Sequence, residues 1–484
     1  MAKDVEIQRR LAIPRVPINK QDPQERKKNW DEVFLGFDLE SAKIEAMRCI
    51  QCPTAPCQQA CPVGNDIPGA FKLLEIGDVN GAANKFRETS NLPELCGRLC
   101  PQERLCEGEC VVAFAIRPDS HQEPPVTIGK LEAFVTDYQS EHFGVPIPFV
   151  EELSGFRVAI VGAGPAGMAV AEELAKNGHD ATMYDAWPEP GGILLYGIPN
   201  FKLSKKVLDN KVAFLDKLGV KFVGNTWVGK DVTVDQLFEQ GFDAVFVGTG
   251  AGLGGKLAIP NEELKHIYAA TEFLVRGNLK PEQLPEHLRD DMPIGDDVVV
   301  IGGGDTSMDC VRTAVRIGAR NVTCIYRRTE TEMLGREEER NHAKQEGVSF
   351  QFLTIPLRFI GDDAGNVAGV ECQRMALGEA DESGRRRPIP IPHSEFVIPA
   401  SSVAIAIGYN ADPTIKDAAP GVATNRWNLV EVDRDTFMTS KPGVFAGGDN
   451  VNGADLVVTA LADGRRAASA IHEYLGTLIA PRYR

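Results

Sequence analysis

The sequence predicts an α/β chain: two parallel-sheet domains, one interrupted by the other, behind a small helical domain. Three observations carry that expectation. Eight of the 11 cysteines fall between residues 49 and 110, in stretches with helical spacing. A strand, glycine turn, helix and second strand occur in that order twice, beginning at Arg157 and at Val298. An apolar strand ending in Gly447-Gly448-Asp449 lies far downstream of both.

A chain of 484 residues has room for about three domains of ordinary size. Hydrophobic residues make up 43% and charged residues 25%, as in a folded globular protein. The sequence shows no apolar run long enough to cross a bilayer and no charged-then-apolar leader, so the cytoplasm is expected and a membrane partner is not. Basic residues number 52 against 68 acidic ones, and the net charge of −16 argues against a nucleic-acid partner. In a reducing compartment, clustered thiols favour metal ligation or redox chemistry over structural disulfides.

Residues 1–48 read as a polar arm leading into a helix near Leu39–Met47. In the cysteine-rich region, Ile67–Leu74 and Val79–Thr89 have helical spacing. His142–Gly155, with Pro146 and Pro148, reads as a linker. The strand Arg157–Val161 then runs into Gly162-Ala-Gly164-Pro165-Ala166-Gly167. In such a Rossmann-like turn the first glycine permits the bend, the second lets backbone approach a pyrophosphate, and the third lets helix and strand pack closely. The following helix offers free N–H groups to the phosphates. Asp185 ends the next strand, where a carboxylate can accept ribose hydroxyls.

The second turn is Gly302-Gly-Gly304-Asp305-Thr306-Ser307, with serine in the third glycine place. Its next strand ends in Tyr326-Arg327-Arg328 without an acid. Guanidinium groups there suit a 2′-phosphate, which favours NADP(H) over NAD(H); the alternative is a solvated strand end. Gly448-Asp449 puts a carboxylate at a strand's C-terminal edge, before a helix over Val458–Ala470. The distance of this signature from the first turn suggests that one nucleotide unit interrupts the other.

The first thiol run, Cys49-x2-Cys52-x4-Cys57-x3-Cys61-Pro62, resembles a ferredoxin run with two extra residues. Cys96, Cys100-Pro101, Cys106 and Cys110 follow. Two structural zinc sites are the competing assignment, and the nucleotide turns downstream weigh against them. Cys310, Cys324 and Cys372 read as buried small hydrophobes. His342, in the acidic helix Arg336–Gln345, reads as a solvated residue, and Arg385–Arg387 as a charged hairpin loop.

Val158–Gly167, Pro190–Pro199, Thr249-Gly250, Gly302–Asp309, Tyr326–Arg328 and Gly447–Asp449, in that order behind these cysteine runs, resemble glutamate synthase small (β) subunits. The resemblance extends to a branch containing the large subunit of NADH-dependent reduced ferredoxin:NADP oxidoreductase, which Gly378–Pro388 also resembles, and to the N-terminal part of dihydropyrimidine dehydrogenase. It implies that the first turn, Asp185, Gly192 and Asp449 serve FAD, with Thr249, Gly250 and Gly448 also expected to bind cofactor. The second turn, Arg327 and Arg328 would serve NADPH. It further implies an iron–sulfur domain over 1–149, a flavin domain over 150–280 plus 405–484, and an NADPH domain over 281–404.

By the same resemblance, Cys49, Cys52, Cys57 and Cys110 hold one [4Fe–4S] cluster. Cys61, Cys100 and Cys106 hold a second, with Glu132 favoured over Cys96 as its fourth ligand. The implied activity passes electrons from NADPH through FAD and both clusters to a glutamate synthase large subunit. The alternative is a bifurcating transhydrogenase working with a small flavin/iron–sulfur subunit; either makes a hetero-oligomer the expected assembly. A non-catalytic redox-sensing scaffold is the reading from another class, and it predicts FAD binding without NADPH-dependent dye reduction.

Overall fold

The computed structural model describes residues 2–115, 122–150, 152–382 and 384–478. Glu151 of the expected linker and Ser383 of the Gly378–Pro388 stretch lie outside them. The N-terminal part is helical as expected, with Leu39–Met47, Ile67–Glu75, Val79–Arg87, Pro93–Leu99 and Ile128–His142 as its main helices. Asp38, Asp66 and Asp78 cap the first three, each accepting a backbone N–H from the first turn. Their apolar faces, including Phe71, Leu74, Phe86, Leu131 and Val135, share one core.

Two five-stranded parallel sheets follow. The first has the order Val444–Ala446, Ala244–Val247, Arg157–Val161, Asp180–Tyr184, Lys221–Val223. The second has the order Ser349–Gln351, Asn321–Ile325, Asp297–Ile301, Ser402–Ile405, Ile267–Ala269. Their central strands are apolar runs because both faces are buried; in the second sheet helices cover one face, and Phe359, Val367, Val370 and Cys372 of the later antiparallel strands cover the other. Val444 pairs with Val245, so the first sheet is completed only after the chain has built the second.

Strand pairing moves the expected crossing point between the sheets. Ile267–Ala269 hydrogen-bonds beside Ser402–Ile405 in the second sheet, so the first segment of the first unit ends before residue 267 and not at 280. The reason lies in a three-residue strand too short to announce itself by pattern. The antiparallel sheet of Thr354–Gly361, Val367–Ala380 and Arg386–Pro399 is also new, and it corrects the loop expected at Arg385–Arg387: only Arg385 is in the turn, and Arg386 and Arg387 begin the third strand.

Val457–Gly476 lies against Pro165–Lys176, and a Cβ on Gly464 would overlap the carbonyl oxygen of Ala166. Elsewhere the arm is stitched down by charge. Arg26 donates to Glu346 Oε1 at 2.8 Å, and Arg312 and Arg316 reach the same carboxylate at 3.0 and 2.7 Å. Both of the latter guanidiniums lie over the Phe201 ring, at 4.2 and 4.1 Å. His342 is corrected by this arrangement: it is 2% exposed, edge-on to Phe34, because the acidic helix Glu337–Gln345 packs beneath the arm. Cys310, Cys324 and Cys372 are buried, as expected.

Gly464→Ala tests the helix contact. Helix propensity alone would favour alanine by about 1 kcal/mol. Overlap with the Ala166 carbonyl reverses the sign, and denaturant unfolding should show a loss of about 1–2 kcal/mol.

Burial pulls the His342 imidazole down to about 4, below the ordinary histidine value. The unfolded chain therefore binds the extra proton between about pH 6.5 and 4, and stability falls as pH drops through that window. Unfolding measured from pH 7 to 4 should be flatter for His342→Gln than for the parent chain.

Candidate functional site

Gly162 has φ +101°, a conformation that favours glycine, and a Cβ there would overlap the Gly248 carbonyl. A Cβ on Gly167 would overlap the Gly162 carbonyl, so this position sets how closely helix and strand pack. Gly164 differs. Its φ of −82° suits any residue, and a Cβ would meet nothing nearer than Gly192 Cα at 4.0 Å. Folding does not require a glycine there; close approach by a ligand supplies the reason. Pro165 opens the helix, whose N–H groups face outward from the turn, and Ala166 follows it.

The rest of the first site closes on this turn. Asp185 accepts from the N–H of Ala163 at 2.8 Å and of Trp187 at 3.0 Å. Burial raises its carboxyl against the backbone N–H groups of Ala163, Trp187 and Ala186, and the four lone pairs of a carboxylate leave room for a ribose hydroxyl. Gly191 donates to Ala163 O at 2.9 Å, and a Cβ on Gly192 would come within 2.9 Å of Gly164 Cα. Thr249 and Gly250 follow the neighbouring strand, Ala244–Val247. A Cβ on Gly448 would stand 3.2 Å from that of Ala166, and its N–H donates to Asp463 at 3.1 Å. Asn450 donates to Val247 O, and burial lifts the adjacent Asp449 carboxyl to about 6.

The second turn repeats this logic. Gly302 has φ +149°, and a Cβ there would overlap the Ala406 carbonyl. Gly304, at φ −96°, would meet nothing within 4 Å, which again leaves a ligand as the reason for glycine. Ser307 in the third glycine place bonds Ala406 O at 3.4 Å. Asp305 accepts from the Arg336 N–H at 2.9 Å, and Thr306 hydrogen-bonds the Tyr409 phenol. Arg327 is exposed, whereas Arg328 is 4% exposed and donates to Asp381 and to Arg386 O, both at 2.7 Å. The two arginines thus stand in different surroundings, one exposed and one buried.

All eight clustered cysteines come together in two adjoining groups. Cys110, Cys57 and Cys52 are electrostatic neighbours of Cys49. Gln51 and Ala55, at φ +55° and +38°, turn the chain on either side of Cys52. The second group lines a small cavity: Cys61, Cys96, Cys100, Cys106 and Glu132. Cys106 senses both Cys61 and Cys57, which makes the groups neighbours. Asn65 donates to Glu132 Oε1 at 3.1 Å and accepts from Thr89 at 2.7 Å, partners that no sequence signal announced. Cys96 lies 3.8 Å from the Ser90 hydroxyl and beside Cys100.

Among the described residues, no three His, Cys, Asp or Glu side chains converge as on a single metal ion. The second group surrounds a space instead, which suits a cluster better than one zinc. Burial pushes the Cys49 and Cys57 thiols up to about 12 and Cys61 up to about 11. Cationic iron is the kind of neighbour that would stabilise thiolates there. The donor set thus fits iron–sulfur clusters, and the glycine cradles fit dinucleotides.

Each nucleotide turn is linked to the thiol cavity through one intervening element. Val458 lines it from the helix whose Gly464 packs on Ala166. Gln102, another lining residue, accepts from Arg336 at 2.9 Å, beside Asp305 of the second turn.

Two protein-family models match: dihydropyrimidine dehydrogenase domain II, 4Fe-4S cluster, over residues 26–143, and pyridine nucleotide-disulphide oxidoreductase over residues 156–464. The glutamate synthase [NADPH] small chain of Escherichia coli (strain K12) is 40% identical over 471 residues, covering 96% of this chain and 98% of that one. The chain belongs to the glutamate synthase small-chain family. It is an NAD(P)H-dependent flavin oxidoreductase with a 4Fe–4S domain. The putative oxidoreductase AegA of the same organism is 42% identical over 459 residues, covering 93% of this chain and 68% of AegA. FprA from Mycobacterium tuberculosis in complex with NADPH shares the fold over 66% of this chain and 84% of its own, with a TM-score of 0.56 at 21% identity.

Gly164→Ala and Gly167→Ala should separate ligand from scaffold. Gly164→Ala should leave unfolding within about 0.5 kcal/mol of the parent while flavin titration shows weakened binding. Gly167→Ala should lower stability itself, by about 1–3 kcal/mol.

Proposed function

We propose that this chain oxidises NADPH and delivers the electrons, through FAD and two [4Fe–4S] clusters, to a glutamate synthase large subunit. When bound, the flavin accepts hydride from the nicotinamide, and the clusters carry electrons singly. The protein's own part is to position these groups and keep water away. Gly164 and Gly304 leave room for two pyrophosphates at helix N-termini. Cys49, Cys52, Cys57 and Cys110 are the ligands of one cluster; Cys61, Cys100, Cys106 and Glu132 are those of the other.

The observation that carries this reading is the bridging helix Val457–Gly476. Val458 borders the thiol cavity, and Gly464, six residues on, touches the first glycine turn. Six residues of helix span about 9 Å, so the flavin turn and the cavity are near neighbours across one rigid element. The large-subunit partner is supported by the small-chain relative, whose name implies a larger one. The cytoplasm is the proposed location; among the described residues no helix is long and apolar enough to cross a membrane.

Anaerobically purified protein should carry one flavin and about eight irons, as two [4Fe–4S] clusters require. It should reduce a dye faster with NADPH than with NADH. Two irons or fewer, or zinc in their place, would falsify the two-cluster assignment. Flavin without dye reduction would instead favour a sensory scaffold. Affinity purification should recover an amidotransferase large chain; recovery of a small flavin/iron–sulfur subunit would point to transhydrogenation.

A further inference from the structure

A cavity of about 420 Å³ lies where the polar arm, the helix Ile128–His142 and the helix Glu337–Gln345 meet. It is separate from the thiol cavity, with which it shares no lining residue. The helix Ile128–His142 serves both. Leu131, Glu132 and Val135 are buried on its inner side, while Lys130, Ala133, Phe134, Asp137, Tyr138 and Glu141 form a second stripe along the cavity at helical spacing. Phe34 and Phe37 of the arm, with Phe201, complete an aromatic lining. Such a volume, with apolar walls and a few polar groups, is that of a small-molecule site.

Most charges around this cavity are already matched. Arg98 pairs with Glu32 at 2.9 Å and with Asp137 at 2.6 Å. Lys202 pairs with Asp309 at 2.9 Å, and Arg336 with Glu103 at 3.0 Å. Lys130 is the exception. Its Nζ lies 3.4 Å from the centroid of the Phe34 ring, and among the described residues it has neither an ion pair nor a hydrogen-bond acceptor. The carboxylates within its electrostatic reach are Glu338, Glu107 and Glu339. Glu338 is taken by Lys20 at 2.8 Å, Glu107 by the N–H of Gly129 at 3.1 Å, and Glu339 by Arg312 at 2.5 Å. Glu141 is eleven residues further along the helix, about 16 Å away. The Phe34 ring displaces water from the ammonium without offering an oxygen to its three donors, which leaves them for an anion.

We propose that this cavity binds an aromatic monocarboxylate, with the carboxylate on Lys130 and the ring among Phe37, Phe134 and Tyr138. One unmatched cation calls for one negative charge. A dianion such as inorganic phosphate would bring a second charge against the carboxylates of Glu32, Asp137 and Glu339, which line the same walls. The aromatic lining favours a flat apolar body, since paired rings gain more than simple burial provides. A ligand there would touch the arm, the helix that carries Glu132, and Arg336, whose N–H is held by Asp305 of the second glycine turn. It would fasten together three parts of the chain that lie far apart in sequence, and it takes no part in the transfer of electrons from NADPH.

The test uses the flavin- and iron-loaded protein with two probe pairs, benzoate with benzamide and indole-3-acetate with indole-3-acetamide. Within each pair a neutral amide of the same shape replaces the carboxylate. Calorimetric titration should show at least one acid saturating below about 10 mM and binding about tenfold or more tighter than its amide, the size of a charge-assisted contact. Lys130→Met, checked for parental iron and flavin content, should erase that preference and leave amide binding where it was, whereas Lys130→Arg should keep the preference. Phe37→Ala should weaken acid and amide by a similar few-fold factor. Saturating acid should slow hydrogen exchange in residues 18–39 and 128–142. The proposal is overturned if neither acid saturates by about 10 mM, if acid and amide bind alike, or if the preference survives in Lys130→Met. Equal competition by inorganic phosphate overturns the aromatic monocarboxylate in favour of a general anion site.

Discussion

The architecture depends on one close approach, the backbone contact between Gly464 and Ala166. Two helices can come this near only where one presents no side chain, and the consequences run in both directions along Val457–Gly476. Toward its N-terminus, Val458 is brought to the thiol cavity and Gly448 to the back of the first glycine turn. Along its length, Leu461, Ala467, Ala468 and Ile471 share a core with Leu92, Leu95 and the first sheet. The cysteine-rich region is thus packed against the first nucleotide unit as part of one interior, and electrons need not cross a mobile linker.

A second constraint fixes the other nucleotide unit. Glu346 receives three guanidiniums, from Arg26, Arg312 and Arg316, in a setting where all four side chains are nearly inaccessible. Removing one partner from such a set leaves an uncompensated charge, which costs far more than the net worth of the pair. Arg316 also donates to the carbonyls of Arg26 and Asn29, so the arm is held by backbone as well as by charge. Lys202 adds a tie from the first unit to Asp309, on the helix after the second glycine turn. These contacts specify an orientation between the two cofactor cradles more than they add stability.

Sequence reasoning read what is periodic or locally encoded. The glycine turns were legible because three spacings and two flanking strands agree, and the thiol runs because cysteine has few other reasons to cluster in a reducing compartment. What escaped depends on residues far apart in the chain. Nothing near His342 reveals that Arg26, more than 300 residues away, brings the arm across its helix. Charged residues in an acidic helix look solvated until their partners are known. The ion pair of Arg328 was hidden for a related reason: its neighbour Asp381 lies 53 residues downstream, past a hairpin whose strands carry no strong alternation.

The same distinction separates the two candidate fourth ligands of the second thiol group. Cys96 has the right chemistry, but it belongs to the interior shared with Leu92 and Leu95 and already has Ser90 and Cys100 beside it. Glu132 is a carboxylate in the same dry space, with burial raising its pKa well above the ordinary range. A buried acid of that kind is costly unless something compensates it. Asn65 engages only Oε1, and Thr89 in turn orients Asn65, an arrangement that aims a ligand more than it neutralises a charge. A packed cysteine needs no metal to justify its burial, whereas a buried carboxyl either keeps its proton or finds a cation. The proposed place of Glu132 in the second cluster would supply that cation.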